Sequence, residues 1–111
     1  MRILVVSDTH GDLRSLIKAV DAQRKAEIIV HCGDGEEQQR FLKDNYKDKM
    51  IVAVRGNCDW NSFFPSKEIF KVCGKTIFVT HGHLYDAKSG LYRITSAARE
   101  AGADILLFGH T

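Results

Sequence analysis

The stretch Ile3-Leu4-Val5-Val6-Ser7-Asp8-Thr9-His10 decides how the chain is read. Four consecutive apolar residues, with no polar alternation, mark a short strand buried on both faces, as in a parallel sheet covered by helices. The tail behind it carries a carboxylate and an imidazole two residues apart. Asp12 then stands as a helix cap ahead of Leu13, Leu16, Ile17 and Val20, which have helical spacing. Ile28-Ile29-Val30 is a second buried strand, Glu36 to Lys43 a short helix, and Met50 to Val54 a third strand. These β-α-β steps predict a parallel sheet with right-handed crossovers.

Further along, Glu68 to Cys73 and Thr76 to Thr80 are β-rich runs joined through Gly74-Lys75, a hairpin signal. A helix is expected from about Ser89 to Ala101, with Leu91, Ile94, Ala98 and Ala101 inward and Gly102 as its stop. A last apolar run, Ile105 to Phe108, ends in Gly109-His110-Thr111. The fold class is therefore α/β with a second, partly antiparallel sheet. A domain halting at a strand end is expected to continue, so further strands are expected beyond Thr111.

The 111 residues amount to one domain or part of one. With 44% hydrophobic and 27% charged residues, the composition is that of a globular protein. No apolar run approaches the ~18 residues of a membrane helix, and the opening apolar run is too short for a secretory leader. No membrane partner is expected. The net charge is 16 − 14 = +2. The basic residues are scattered and lack interleaved aromatics, so no sequence-specific nucleic-acid partner is expected. Cys32, Cys58 and Cys73 are an odd set without CxxC spacing, which reads as free thiols in a reducing cytoplasm. Gly74-Lys75-Thr76 imitates the end of a P-loop, but Ile69 stands where the first glycine belongs and a strand follows.

Five apolar runs end in metal-ligand chemistry. Their tails are Asp8-Thr9-His10, His31-Cys32-Gly33-Asp34, Arg55-Gly56-Asn57-Cys58-Asp59, His81-Gly82-His83 and Gly109-His110. Ligands of open α/β sheets bind outside the carboxyl ends of the strands. Carboxylate oxygen mixed with imidazole nitrogen suits Mn²⁺, Fe²⁺, Ni²⁺ or Zn²⁺ and not a Ca²⁺ cage or a thiolate zinc site. Asp8 and His10 can chelate one ion, Asp34 can bridge two, and Asn57, His81 and His110 can complete a second site. Two ions ~3.5–4 Å apart clamp phosphoryl oxygens. His31, ahead of the motif, reads as a structural residue, and Cys32 as a small buried hydrophobe.

These motifs resemble, in order, the five motifs of calcineurin-like metallophosphoesterases. The Gly56-Asn57-Cys58-Asp59 form and the compact spacing are similar to the small prokaryotic phosphodiesterase branch. A retromer subunit shares that fold. The resemblance implies a four-layer α/β/β/α sandwich with mixed sheets, its C-terminal strands missing here, and a two-metal site between the sheets. It assigns Asp8 and His10 to the first metal, Asp34 to the bridge, and Asn57, His81 and His110 to the second metal, with Mn²⁺ the expected ion. It places His83 near the site. The family's last motif carries a further histidine, which would be residue 112. Cys58 stands where many relatives have histidine. A poorer general acid there points to esters with good leaving groups, or to protonation by water.

The function expected is hydrolysis of a small phosphodiester by a metal-bridging hydroxide. Asn57 and Asp34 act at the centre, and Asp59 orients the Asn57–Cys58 turn. Arg55, Cys58 and His83 are candidate phosphate contacts. The apolar loop Trp60, Phe63, Phe64, Pro65 walls the cleft, meets another copy in a homo-oligomer, or folds over the core. The alternatives are a non-catalytic interaction scaffold of the same fold, a phosphomonoesterase or a nuclease.

Overall fold

The computed structural model describes residues 2–57, 59, 64–83 and 90–109. The β-α-β alternation is present as β1 (Ile3–Val6), α1 (Leu13–Ala22), β2 (Ile28–His31), α2 (Glu36–Asn45) and β3 (Met50–Ala53). The three strands pair in parallel in the order β1-β2-β3. The second sheet is mixed. Its strand β4 (Lys67–Val72) runs antiparallel to β5 (Lys75–Thr80). After α3 (Tyr92–Glu100), β6 (Ile105–Leu107) returns parallel to β5.

Strand alternation divides β2 between two cores. Ile28, Val30 and Cys32 cluster with Val52, Val54, Ile77 and Val79 between the two sheets. Ile29 points the other way, onto Leu16, Val20 and Leu42 of α1 and α2. Helix α3 buries Ile94 and Ala98 and packs by β6. The layers are helices, sheet, sheet, helix, as the resemblance implied. Each buried Val, Leu or Ile contributes about 1.5–3 kcal/mol, so both sheets are held by apolar faces that leave the strand ends free for polar work.

Four expectations change. Strand β1 is only half-buried, with Val5 43% exposed, because β2 covers one side of it and the sheet's described strands end there. Helix α2 runs to Asn45, two residues beyond Lys43. The hairpin turns at Cys73-Gly74 instead of Gly74-Lys75, because Val72 pairs with Lys75. Both turn residues have positive φ, +51° and +78°, as a type I′ turn requires. Helix α3 begins at Tyr92, and Leu91 is 54% exposed instead of inward. Ser89 lies outside the described residues. Gly102 does stop α3. Its φ is +72°, its N–H bonds the Arg99 carbonyl, and the Ala103 N–H bonds the Ala98 carbonyl, which is a Schellman cap.

Candidate metal centre

Strands β1 and β2 end level with each other, Val6 opposite His31, so their tails leave one sheet edge together. The Asp8 N–H donates to the Gly33 carbonyl at 2.8 Å and the His10 N–H to the Asp34 carbonyl at 3.1 Å. Strand β5 of the other sheet delivers His81 to the same place. Its Nδ1 donates to the Cys32 carbonyl at 2.8 Å, which turns Nε2 toward the carboxylates. That nitrogen lies 3.2 Å from Asp34 Oδ2 and 3.7 Å from Asp8 Oδ1. His10 Nε2 lies 3.8 Å from the same two oxygens. Ligand atoms of Asp8, Asp34 and His81 all fall within 4.8 Å of one another. Three of the expected ligands thus close around one centre, with His10 beside their carboxylates.

The backbone there is strained. Among the described residues four non-glycines have positive φ, and three are Asp8 (+54°), His10 (+42°) and Asp34 (+59°). Left-handed backbone costs such residues about 1–2 kcal/mol each, and it persists only where neighbours over-determine it. Asp59 is the main restraint. Its Oδ2 accepts from the N–H groups of Asp34 (2.9 Å) and Gly56 (2.8 Å), and its Oδ1 from those of Gly35 (3.0 Å) and Glu36 (3.2 Å). Helix α2 has Gly35 at its N-cap with no capping side chain. Asp59 supplies the missing cap from another loop and meets the positive end of the helix dipole. Its Gly56 bond lies beside the Asn57–Cys58 turn that it was expected to orient, of which Cys58 is outside the described residues; the other three hold the Asp34 loop. The sequence signal was the glycine itself, a helix start with nothing to cap it.

Gly56 makes the contact between these loops: a Cβ there would overlap the Asp34 carboxylate. Gly109 brings the last motif alongside, its N–H on the His81 carbonyl at 3.2 Å. The His83 ring centroid is 5.5 Å from that of His81. Asn57 and Arg55 are exposed, and the Arg55 N–H binds the Pro65 carbonyl. Cys58 and His110 lie outside the described residues, as do Trp60 and Phe63. Phe64 and Pro65 line a separate depression with Lys43, Met50 and Phe70. The cleft at the centre, about 290 Å³, is lined instead by His10, Asp34, Asp59 and the start of α2.

His31 is fully buried behind the centre, and burial pushes its imidazole down to about 4, so it is neutral at pH 7. Burial likewise pushes the Cys32 thiol up to about 12, so that sulfur offers no thiolate ligand. The donors that remain are two carboxylates and two imidazoles. Two carboxylate charges within 4.8 Å of each other repel by at least about 3 kcal/mol at an effective dielectric of ~20. A divalent cation turns that repulsion into attraction, and oxygen with imidazole nitrogen suits a borderline first-row ion. The residues fit a divalent metal.

The sequence profile of the Calcineurin-like phosphoesterase superfamily domain matches residues 1–111. The whole chain is 34% identical over 115 residues to the probable metallophosphoesterase YsnB of Bacillus subtilis, covering 64% of it. It is 26% identical over 132 residues to the phosphodiesterase MJ0936 of Methanocaldococcus jannaschii, covering 73% of that protein. A conserved uncharacterized protein of Streptococcus pneumoniae, described as a predicted phosphoesterase, superposes with a TM-score of 0.80 at 30% identity. The match covers 97% of this chain and 60% of that one. Vps29 of Entamoeba histolytica, solved with Zn²⁺, shares the fold at 21% identity and a TM-score of 0.76, over 99% of this chain and 64% of that one. The chain spans a little under two thirds of YsnB. With its five motifs in order, two facing sheets and an Asp/His cluster at their strand ends, the chain belongs to the calcineurin-like phosphoesterase superfamily.

Proposed function

We propose that the protein is a metal-dependent phosphodiesterase with two divalent cations, Mn²⁺ foremost, acting on a small diester. The observation that carries this reading is the convergence of His81 with Asp8, His10 and Asp34, the last three on left-handed backbone, beside an open cleft. Asp8 and His10 would hold one cation, Asp34 would stand between both, and His81, Asn57 and His110 would serve the second. Bound divalent metal neutralises phosphoryl oxygens and supplies a nucleophilic water at neutral pH. The chain's own part is positioning. Asp59 clamps the Asp34 backbone, the Cys32 carbonyl fixes the His81 tautomer, and the cleft admits the ester beside His10. The exposed Asn57 and Arg55 offer an amide and a guanidinium to the phosphate.

The test is hydrolysis of an aryl phosphodiester by the full-length protein with added Mn²⁺. Turnover is expected, and Asp34→Asn should lower it about a hundredfold or more, since partners one shell further out already cost 10–100-fold. Undiminished turnover in Asp34→Asn rules out the bridging role. Mn²⁺ binding without turnover of diester, monoester or oligonucleotide would favour the scaffold reading.

A further inference from the structure

His31 and its neighbours form a directional hydrogen-bond chain whose polarity can be read from one end. The Val54 carbonyl can only accept, so the Gln39 atom 2.7 Å from it is the amide nitrogen. The same nitrogen lies 3.0 Å from His31 Nδ1, and the Gly33 N–H points at that Nδ1 from 3.1 Å. Two donors facing one ring nitrogen require it to be the acceptor, so the ring proton sits on Nε2. Nε2 is 3.0 Å from Thr9 Oγ1, which therefore accepts. The Thr9 hydroxyl then donates to Gln38 Oε1 at 3.1 Å, and the Gly11 N–H donates to the same oxygen at 3.1 Å. His31, Gln38 and Gln39 are all buried. Thr9 lies between Asp8 and His10, the two left-handed residues of the first loop.

We infer that His31, through Thr9, is a positioning residue that locks the Asp8–His10 loop in its ligand-bearing conformation. The inference rests on the metal-centre reading above and adds to it a residue that is not itself one of the expected ligands. The chain runs from the end of β3 through β2 and α2 to the first loop, so the loop is held from the interior as well as by its own turn bonds, Asp12 N–H to the Thr9 carbonyl and Leu13 N–H to the Gly11 carbonyl. Asp59 holds the Asp34 loop from the other side, and the two restraints share no atom.

The experiment uses full-length protein with ¹⁵N-labelled histidine, with Mn²⁺ alone as the titrant. Metal-free protein at pH 7 should show His31 as the Nε2–H tautomer. Thr9→Val should raise amide exchange at Asp8 and His10 and weaken Mn²⁺ binding about tenfold or more. Thr9→Ser, which keeps the hydroxyl, should restore both. His31→Leu should match Thr9→Val, with the double variant no worse than either single one. An Nδ1–H tautomer overturns the inference, as does a folded Thr9→Val protein with wild-type exchange and Mn²⁺ affinity. Tautomer and exchange are read without metal. A wild-type protein that binds Mn²⁺ yet leaves the diester intact therefore defeats the proposed function while His31 keeps its role.

Discussion

The loop at Asp34 and the hairpin turn at Cys73-Gly74 both carry left-handed backbone, and they differ in what holds it there. The hairpin turn is open: a Cβ on Gly74 would meet nothing within 4 Å, and Cys73 is exposed. Its geometry is local, a two-residue connection matched to the twist of the strands it joins. The Asp34 loop is crowded: a Cβ on Gly33 would lie 2.7 Å from His81 Nδ1, and one on Gly56 would overlap Asp34 itself. There the conformation is imposed from outside by Asp59, and in the neighbouring loop by the chain through His31. A turn that only reverses the chain can be specified nearby. A turn that aims ligands needs distant restraints.

The comparison can be broken most severely at Asp59. Asp59→Ala leaves four backbone N–H groups without their acceptor and helix α2 without its cap. The expected loss is on the order of 4 kcal/mol, measured by urea denaturation. Loss of less than a quarter of that would mean the Asp34 loop supports itself as the hairpin turn does.

The next effect is on pH dependence. His31 is held neutral in the folded state, down to about 4 from 6.5, so the unfolded chain binds the extra proton between those values. Stability from this group is therefore complete above pH 6.5 and falls as the pH drops toward 4. By then the loss is about 3 kcal/mol. His31→Gln, which cannot protonate, should flatten this part of the stability curve. Identical acid slopes in the two proteins would show that His31 titrates normally.

Two glycine variants sharpen the contrast at smaller scale. Gly56→Ala forces a methyl group into the Asp34 carboxylate and should cost about 2 kcal/mol, with weakened Mn²⁺ binding by calorimetry. Gly74→Ala has free space and suffers only from its φ of +78°, a cost of about 1 kcal/mol. Its Mn²⁺ affinity should equal that of the wild type. Equal Mn²⁺ affinities in both variants would erase the distinction between the two turns.

Much of the fold was legible before any coordinates. Ile3 to Val6 and Ile28 to Val30 declared strands by being apolar without interruption, and Asp12 declared a helix start, its Oδ1 accepting from the Ser15 N–H at 3.1 Å. The hairpin was legible, but its turn was displaced by one residue, because only pairing register distinguishes Cys73-Gly74 from Gly74-Lys75. Leu91 fitted the helical pattern and still lies outside it, since the helix start is decided by what the chain packs against. Within the candidate centre, the residue types of Asp8, His10, Asp34 and His81 were readable, while the reach of Asp59 across to Gly35 and Glu36 was not. Hydrogen bonds that span 23 to 25 residues leave no periodic trace in sequence.

What this amino-acid order determined by itself was which segments are apolar and what chemistry follows each of them, because burial preference and ligand type belong to single residues. What tertiary structure alone decided was that three of those tails bring Asp8, His10, Asp34 and His81 together, at what distances, and with which ring nitrogen turned inward. Those are relations between loops on two sheets, and they exist only once the sheets have packed.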